Sequence, residues 1–405
     1  MALVLQYKVR KMVARKEPYQ SKIGEGEHLI GAFVGDASGP TLIVVGGIHG
    51  NEPAGVSAIV GVNDDLGLLE NKVKGRVYLI AGNTRALRRG IRFIDRDLNR
   101  SWTRANMSEI GTTKSMKLSE HRELAEIDRL IDGILITARS EVYVLDLHST
   151  SASGEPFATV GDTLRNREFA RKFPLTILLG IEEQLEGTML EYLNNTGAVT
   201  LGFEGGSHNS PDTVANHTSL VWLALANTGI LSPAEIPDHE THRARLAAGK
   251  RGACVVEVRH REAIKDGDEF EMDAGYNNFD PISKGQVLAK NRYGLIHAHE
   301  NGLIMMPLYQ KLGEDGFFVG RKVAGFWLTL SALLRRAGVP EMIRRLPGVT
   351  PDPDEPETMI VNTKLARFFP LQIFHLLGYR KQRWIKHHLV MTRRRHDSDS
   401  PFLNA

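Results

Sequence analysis

The apolar run at residues 42–45 ends on a glycine-rich segment, and this junction constrains the fold more than any other feature of the chain. Residues 46–53 read Gly-Gly-Ile-His-Gly-Asn-Glu-Pro. Apolar residues followed directly by glycines indicate a buried strand that ends in a tight turn. The turn presents His49 and Glu52, and an imidazole and a carboxylate are both ligands of catalytic zinc sites.

A second apolar run, at residues 142–147, ends on His148 and is again typical of a strand. Two histidines and one glutamate leave the fourth position of a tetrahedral zinc site to water, whose pKa falls to about 7 on the metal. His49, Glu52 and His148 therefore predict a hydrolytic zinc site. Each motif alone has a structural alternative, since a His-x-x-Glu pair arises by chance and a histidine after a strand is commonly only hydrogen-bonded.

Strand-like runs alternate with helical patterns between residues 27 and 245. This alternation favours an α/β fold in which helices cover a sheet. In residues 119–138 the apolar side chains recur at the spacing of one helix face, and Ser119 is of a type that caps helices. We expect this helix to pack its apolar face into the core.

Four segments of the chain occur in the order seen in one enzyme family. They are Gly-Gly-Ile-His-Gly-Asn-Glu at 46–52, Asp-Leu-Asn-Arg at 97–100, Asp-Leu-His-Ser at 146–149 and Gly-Phe-Glu-Gly-Gly at 202–206. In these segments the chain resembles the succinylglutamate desuccinylase and aspartoacylase family, a branch of the zinc carboxypeptidase fold. The resemblance implies a zinc carboxypeptidase-like α/β domain with a mixed sheet covered by helices.

The resemblance also implies roles for individual residues and one bound Zn²⁺ per chain. The implied zinc ligands are the two histidines and the glutamate named above. Glu204 is implied as the catalytic carboxylate, and Arg85 is implied beside the scissile carbonyl. Asn99 and Arg100 are implied at the carboxylate of the substrate.

Hydrolysis of an amide requires these residue types. The attacking water needs a general base, the departing amine needs an acid, and the tetrahedral oxyanion needs positive charge. Glu204 can move the proton, while zinc and Arg85 can hold the oxyanion. A planar guanidinium such as that of Arg100 suits bidentate binding of a carboxylate. We therefore expect a small-molecule N-acyl amino acid as substrate.

Several of these residues have structural alternatives. Arg85 lies in an arginine-rich segment, residues 85–92, which is also typical of a solvated basic face. Asn99 and the residue after it are also suited to cap a helix. Asp97 is expected as a partner of an arginine rather than as a metal ligand.

Two further residues, one acidic and one basic, are candidates for the site. Glu257 is a rival to Glu204, but it lies inside a strand-like run and is expected to pair with Arg259 or Arg261. Glu204 instead opens onto glycines at the end of its run, where active-site residues collect. His208 either reaches the site or orders its loop.

One departure from the family pattern concerns specificity. Aspartoacylases place an arginine ten residues before the catalytic glutamate, where it binds the second carboxylate of N-acetylaspartate, and this chain has Asn194 there. The resemblance therefore does not extend to recognition of N-acetylaspartate. The sequence leaves open a longer or different acyl group, such as succinyl.

Length and composition are those of an ordinary folded protein. The 405 residues are 42% hydrophobic and 24% charged, which allows two domains and an appendage. We expect a catalytic domain at 1–245, a small β domain at 250–322 and an appendage at 323–405. The net charge of +3 does not indicate nucleic acid as a partner. The single cysteine, Cys254, excludes an internal disulfide framework.

The distribution of apolar residues bears on location. No apolar run approaches the ~18 residues of a membrane span, and the run at positions 2–5 is too short for a signal peptide. We therefore expect a cytoplasmic protein without a membrane span. The oligomeric state has no signature in the sequence.

The predicted small β domain is rich in short strands and turns. The resemblance implies that it closes over the active site and donates a tyrosine to the substrate. Tyr309 is the candidate for this role, and a core or surface aromatic is the alternative.

Residues 323–405 extend beyond the resemblance. The pattern predicts a helix at 326–336, an acidic proline-rich linker at 351–356, a strand at 359–361, a short helix at 370–377 and a strand at 384–392. Basic side chains cluster near its end at Arg380, Lys381, Arg383, Lys386, Arg393, Arg394 and Arg395. Such a cluster can bind nucleic acid or anionic lipid, but a solvated face on a packed subdomain is the favoured interpretation.

The sequence thus predicts a zinc-dependent amidohydrolase that cleaves an N-acyl amino acid into a carboxylate and a free amino acid. One alternative is a zinc metallocarboxypeptidase that trims peptides or cell-wall fragments. The other is a metal-bound protein without catalysis that works as a binding protein. A domain that covers the site disfavours the first alternative, and Glu204 beside a complete ligand set disfavours the second.

Overall fold

The structure is a computed structural model that describes residues 23–110, 117–249, 252–265, 267–310, 312–353, 355–362, 371–385 and 388–404. Its strands are β1 (Leu29–Val34), β2 (Thr41–Gly46), β3 (Arg76–Ala81), β4 (Val142–Thr150), β5 (Phe157–Val160), β6 (Thr176–Leu179), β7 (Val199–Ser207), β8 (Val255–Ala263), β9 (Glu271–Met272), β10 (Pro281–Ile282), β11 (Val287–Asn291), β12 (Gly294–His297), β13 (Gly302–Met305), β14 (Asp315–Lys322), β15 (Val349–Pro351), β16 (Thr358–Asn362), β17 (Tyr379–Ile385) and β18 (His388–Arg393).

The helices follow the strands closely in sequence. They are α1 (Pro53–Leu66), α2 (Thr84–Arg89), α3 (Arg104–Glu109), α4 (Ser119–Ile136), α5 (Leu164–Ala170), α6 (Met189–Asn195), α7 (Pro211–Asn227), α8 (His239–Ala247), α9 (Gly325–Arg336), α10 (Val339–Ile343) and α11 (Leu371–Leu376). Short 3₁₀ turns occur at Gly67–Lys72, Leu98–Arg100, Pro233–Glu235 and Pro401–Asn404. None of the described helices has the length and apolar character needed to cross a membrane.

One large mixed sheet organises the molecule. Its 11 strands lie in the order β1-β3-β2-β4-β7-β5-β6-β8-β14-β13-β10. The neighbours β3, β2, β4 and β7 run parallel. Smaller sheets of three strands, β12-β11-β9, and four strands, β15-β16-β18-β17, complete the described residues. The predicted α/β class, with a large mixed sheet and covering helices, is confirmed.

The position of the central strand β2 between two cores explains why its residues are apolar. Leu42 and Val44 belong to the core that includes side chains of α1 and α7, while Ile43 and Val45 belong to the core that includes side chains of α4 and α6. Alternate side chains of a strand point to opposite faces, so a strand covered on both sides is buried throughout.

The helix predicted at 119–138 is α4, which ends two residues earlier than expected. Ser119 is its first residue and does not cap it, because the N-cap position belongs to Leu118, whose side chain makes no capping bond. The Asp95 carboxylate accepts a hydrogen bond from the Ser119 N–H at 2.6 Å. A carboxylate from a distant loop thus satisfies a helix N–H that a local cap was expected to satisfy.

Residues 255–322 continue the large sheet. Strand β8 pairs in parallel with β6, with Ile177 opposite Val255, and β14 pairs with β8. The expected boundary near residue 250 therefore separates two chain segments that share one sheet. The division into a catalytic domain, a small β domain and an appendage stays a prediction.

The C-terminal segment contains the predicted helices, but its last predicted strand is two antiparallel strands, β17 and β18. The Arg380 guanidinium donates to Glu257 at 2.7 Å and also contacts Asp162. Arg394 donates to Glu183 at 3.0 Å. These two cations are paired with acids of the preceding segments, while the side chains of Lys381 and Arg383 and the whole of Lys386 lie outside the described residues.

Candidate active site

The turn after β2 holds His49 and Glu52 at one end of the sheet. Gly47 has φ of 75°, a conformation that glycine adopts readily. A Cβ on Gly50 would lie 2.2 Å from the backbone carbon of Ala86. Because only glycine permits this approach, the turn packs against α2 and points its two polar side chains toward each other. His49 Nδ1 lies 2.9 Å from Glu52 Oε1.

The parallel pairing of β2 with β4 brings His148 to the same turn. Its Nδ1 lies 3.3 Å from Glu52 Oε2, and the two imidazole rings lie 5.2 Å apart. The potential ligand atoms of His49, Glu52 and His148 all lie within 4.8 Å of one another. The structure therefore brings the three predicted metal ligands together.

The second nitrogen of each imidazole contacts a carboxylate. His49 Nε2 lies 3.1 Å from Asp97, and His148 Nε2 lies 2.8 Å from Asp146. Metal-binding histidines commonly donate their other N–H to a carboxylate, which fixes the ring and its tautomer. The donor set of two such imidazoles and one carboxylate fits zinc.

The charges at the turn favour a cation. Burial opposes ionisation of Glu52, but His49 and His148 hold the pKa of its carboxyl well below the usual value. Burial also opposes a charge on His148, yet Asp146 and Glu52 raise the pKa of that imidazole well above its usual value. A bound metal ion would therefore compensate the negative charge of the carboxylates around the turn.

Glu204 faces this turn from the neighbouring strand. It lies on β7 opposite His148 of β4 in the sheet register. The residue is 7% exposed, and its Oε2 has no hydrogen-bond partner among the described residues. Burial raises the pKa of Glu204 to about 7. A carboxyl with such a pKa and a free oxygen can accept and return a proton near neutral pH.

A cavity of about 130 Å³ joins these residues to the substrate-binding candidates. It is lined by His49, Glu52, Arg92, Asn99, Arg100, His148, Glu204, His208 and the segment around Met306, Leu308 and Gln310. The amide oxygen of Asn99 accepts a hydrogen bond from the N–H of Met189 at 3.0 Å. Arg100 donates to Asp315 at 2.9 Å. His208 lines the cavity and also lies 2.7 Å from the Ser149 hydroxyl.

The structure places Arg85 away from the cavity, and its expected role beside the scissile carbonyl stays a prediction. Its guanidinium lies 2.8 Å from both Glu123 and Glu126 of α4, and the residue does not line the cavity. Glu123 is fully buried and requires a cation, so α2 turns Arg85 toward α4.

The guanidinium beside the ligand turn belongs to Arg92, which the sequence indicated only as part of a basic segment. It lies 2.8 Å from Asp97 and 3.5 Å from Glu52. The signal that could have identified it is its position five residues before Asp97, in the same loop as the Asp-Leu-Asn-Arg motif. Asp97 is thus the arginine partner that was expected.

The structure also places Tyr309 away from the cavity, and its expected role at the substrate stays a prediction. The residue is 41% exposed, and its hydroxyl donates to the carbonyl oxygens of Asp273 and Tyr276 rather than lining the cavity. A turn of the same segment therefore holds the ring away from the site. Gln310 reaches the cavity instead and accepts a hydrogen bond from Asn51 at 3.3 Å. Glu257, the rival to the catalytic carboxylate, is engaged by Arg380 outside the cavity.

Comparisons with known proteins identify the family of the chain. A family model described as the succinylglutamate desuccinylase/aspartoacylase catalytic domain matches residues 38–224. An N-acyl-aromatic-L-amino acid amidohydrolase (carboxylate-forming) from Xenopus tropicalis is 31% identical over 274 residues, which cover 61% of this chain and 83% of that protein. A succinylglutamate desuccinylase from Pseudomonas fluorescens strain Pf0-1 is 28% identical over 265 residues, which cover 63% and 74%.

The fold has a solved counterpart as well. The product-bound ectoine utilization protein EutE (DoeB) from Ruegeria pomeroyi superposes with a TM-score of 0.51 at 22% identity, over 72% of this chain and 88% of that chain. The family model and the Xenopus tropicalis relative show that the chain belongs to the succinylglutamate desuccinylase/aspartoacylase family.

Proposed function

We propose that this protein is a zinc-dependent amidohydrolase that cleaves an N-acyl amino acid into a carboxylate and a free amino acid. The observation that carries the proposal is the position of Glu204, a buried carboxylate with a free oxygen, in one cavity with a three-residue ligand set. The relatives named for N-acyl-aromatic amino acids and succinylglutamate support the same class of substrate.

The proton transfers fall to Glu204. A zinc ion held by His49, Glu52 and His148 would lower the pKa of a bound water to about 7 and polarise the amide carbonyl. Glu204 accepts the proton of the attacking water as general base, and its carboxyl then donates that proton to the departing amine. Asp97 and Asp146 hold the two imidazoles in place through their second nitrogens.

Two arginines position the substrate in this proposal. Arg92, beside Glu52, supplies positive charge where the oxyanion develops. Arg100 binds the α-carboxylate of the amino acid, with Asn99 holding the start of α6 behind it. In the structure Arg100 is paired with Asp315, so the substrate carboxylate competes with that side chain.

The segment that lines the cavity opposite the ligand turn favours a small molecule over a peptide. The segment around Leu308 and Gln310 lines the cavity, and Gln310 accepts a hydrogen bond from Asn51 of the ligand turn, so this segment covers the turn. A metallocarboxypeptidase needs an open groove for the preceding residues of its chain. This covering segment therefore supports the deacylase over the peptidase.

The test is the release of free amine from N-succinyl, N-acetyl and longer N-acyl amino acids by zinc-loaded protein, with Glu204→Gln alongside. We expect the variant to retain one zinc per chain and to lose roughly 10²- to 10⁴-fold in kcat. Full turnover by the variant would remove Glu204 from the mechanism. If the zinc-bound wild type releases amine from no member of the panel, the proposed reaction is overturned.

A further inference from the structure

A second cavity, of about 590 Å³, is lined by both the large sheet and the C-terminal segment. We call it the Glu257 cavity. Strands β8 and β14 contribute Glu257, Arg259, Arg321 and Lys322, and the C-terminal segment contributes side chains of α9, α11 and β17. No described residue lines both this cavity and the one that holds Glu204. Its volume is that of a small-molecule site, for which ~300–1,000 Å³ is usual.

Positive charge exceeds negative charge around the Glu257 cavity. Glu257 is the one carboxylate among the described residues that line it, and the cationic side chains are Arg167, Arg259, Arg321, Lys322 and Arg380. Buried Asp162 contacts two of these cations, Arg167 and Arg380. Of the other three, two approach Glu257 and the third, Lys322, is exposed. The cavity therefore attracts an anion.

Glu257 does not satisfy the two arginines that the sheet contributes. Its Oε1 accepts a hydrogen bond from Arg380 at 2.7 Å. Its Oε2 lies 3.6 Å from Arg321 and 3.9 Å from Arg259, and both distances exceed that of a hydrogen bond. The Nε of Arg259 is buried and has no hydrogen-bond partner among the described residues. Because a buried N–H donor requires an acceptor, the two guanidinium groups leave a place for an anionic group of a ligand.

The C-terminal segment adds an apolar wall beside these cations. Its apolar lining residues are Val323, Trp327, Leu328, Ile373 and Leu376. Leu328 is 5% exposed, whereas Trp327 is 53% exposed. A half-exposed indole at a cavity offers a face on which a flat ring can stack. The wall thus fits the aromatic body of a ligand whose charged end lies at the arginines.

We propose that the Glu257 cavity is a second binding site, separate from the proposed active site, for a small aromatic compound that carries a carboxylate or a phosphate. The anionic group accepts hydrogen bonds from Arg259 and Arg321, and Lys322 adds positive charge. The aromatic ring packs against Trp327 and the apolar wall. Planar guanidinium groups bind carboxylate and phosphate alike, so both anions share this chemistry.

Isothermal titration calorimetry of the full-length protein tests the site with four probes. They are 2-naphthoate, 2-naphthyl phosphate, the uncharged 2-naphthamide and inorganic phosphate. We expect one of the two naphthyl anions to bind at least about tenfold more tightly than the amide and than inorganic phosphate. The tighter of the two identifies the carboxylate or the phosphate as the anionic group. Equal binding of the amide, or of inorganic phosphate, overturns the proposal.

Three variants assign the binding to this cavity. Arg259→Gln and Arg321→Gln each remove one guanidinium group, and each should weaken binding of the preferred naphthyl anion about tenfold or more. The side chain of Arg321 is 53% exposed, so its variant serves as the test if Arg259→Gln fails to fold. Trp327→Ala should weaken the same binding about fivefold, because it removes the stacking face.

Two further variants are matched controls that should bind the probe as the wild type does. Arg336→Gln changes an exposed arginine of α9 outside the lining of the cavity, and Arg100→Gln changes an arginine of the proposed active site. Binding that is weakened by Arg100→Gln but not by Arg259→Gln or Arg321→Gln would place the probe in the active site and overturn the proposal. Failure of both naphthyl anions to bind would also overturn it. None of these measurements depends on amide hydrolysis, so they test this site separately from the proposed function.

Discussion

At the scale of residues, Glu52 and Glu204 show how neighbours divide the roles of two buried carboxylates. Two imidazoles contact Glu52 and keep it ionised, as a ligand must be. Glu204 lacks such a contact, and burial raises its pKa to about 7, as a proton carrier requires. Both side chains carry the same carboxyl group. The hydrogen bonds of Glu52 with His49 and His148, and the unpartnered oxygen of Glu204, make them different.

A pair of variants can test whether Arg92 or Arg85 supplies positive charge in the active site. Arg92→Gln removes positive charge beside Glu52, and we expect kcat/KM to fall roughly 10²-fold with zinc retained. Arg85→Gln leaves the cavity intact and strips buried Glu123 of a cation, so it should lower the free energy of unfolding by about 1–3 kcal/mol. The measurements are kcat/KM and urea unfolding of both variants. A larger fall in kcat/KM for Arg85→Gln than for Arg92→Gln would instead place Arg85 beside the scissile carbonyl.

A buried histidine should make stability depend on pH. His217 on α7 is fully buried, and neither ring nitrogen has a hydrogen-bond partner among the described residues. Burial lowers its pKa to about 3. Histidine in the unfolded chain titrates near 6.5, so below that pH the unfolded state binds a proton that the folded state does not. Stability contributed by this group is present above about pH 6.5 and declines as the pH falls toward 3.

Between pH 7.5 and 5 this difference amounts to about 2 kcal/mol. Replacing the ring by His217→Phe should remove that much of the loss measured by urea unfolding at the two pH values. The comparison uses the change with pH within each protein, so a general effect of the larger ring on packing cancels. An equal loss in wild type and variant would show that His217 is not the titrating group.

At the scale of elements, the site is built from strand ends and one turn. The ends of β2, β4 and β7 lie side by side because these strands are parallel neighbours. Parallel strands place their carboxyl ends at one edge of the sheet, which is where sites in open α/β sheets form. The glycines of the turn after β2 let His49 and Glu52 meet there.

A pair of glycine variants tests the turn. Gly50→Ala forces a Cβ to 2.2 Å from the Ala86 backbone, which cannot move without α2. We expect zinc affinity to fall at least about tenfold, because displacement of His49 and Glu52 spoils the ligand geometry. Gly61→Ala, within α1, meets no atom within 4 Å and should stabilise the helix by about 0.5–1 kcal/mol. Metal analysis and thermal unfolding provide the two readouts, and normal zinc binding by Gly50→Ala would contradict the model of the turn.

At the scale of the whole molecule, buried ion pairs attach the C-terminal segment. Asp162 is buried and contacts the guanidinium groups of Arg167, Arg335 and Arg380. Burial opposes its charge, but these three cations hold the pKa of Asp162 well below the usual value. The basic cluster near residue 380 thus serves packing in the structure, at least for the side chains that the structure describes.

Asp162→Asn should therefore be costly. The substitution removes the negative charge that three buried guanidinium groups share. We expect the free energy of unfolding to fall by about 3–5 kcal/mol. Glu168→Gln breaks the Arg336–Glu168 ion pair, whose side chains are more than half exposed, and should cost at most about 1 kcal/mol. Equal unfolding midpoints in urea for the two variants would show that the network does not hold the segment.

The sequence by itself determined the α/β class and the motifs at the ends of β2, β4 and β7. Apolar periodicity and glycines are local signals, and a strand covered on both faces has to be apolar along its length. The four motifs also indicated the family. The roles of His49, Glu52, His148 and Glu204 follow from those motifs as proposals, and the structure places the four side chains in one cavity.

The tertiary structure decided which arginine and which polar side chains enter that cavity. Arg85 turns to Glu123, Arg92 reaches Asp97, and the Tyr309 hydroxyl is held by the turn at Tyr276. It also decided that Glu182 lines the cavity wall. Such outcomes depend on contacts between residues far apart in the chain, where the requirement to pair each buried charge selects one partner among several that the sequence allows.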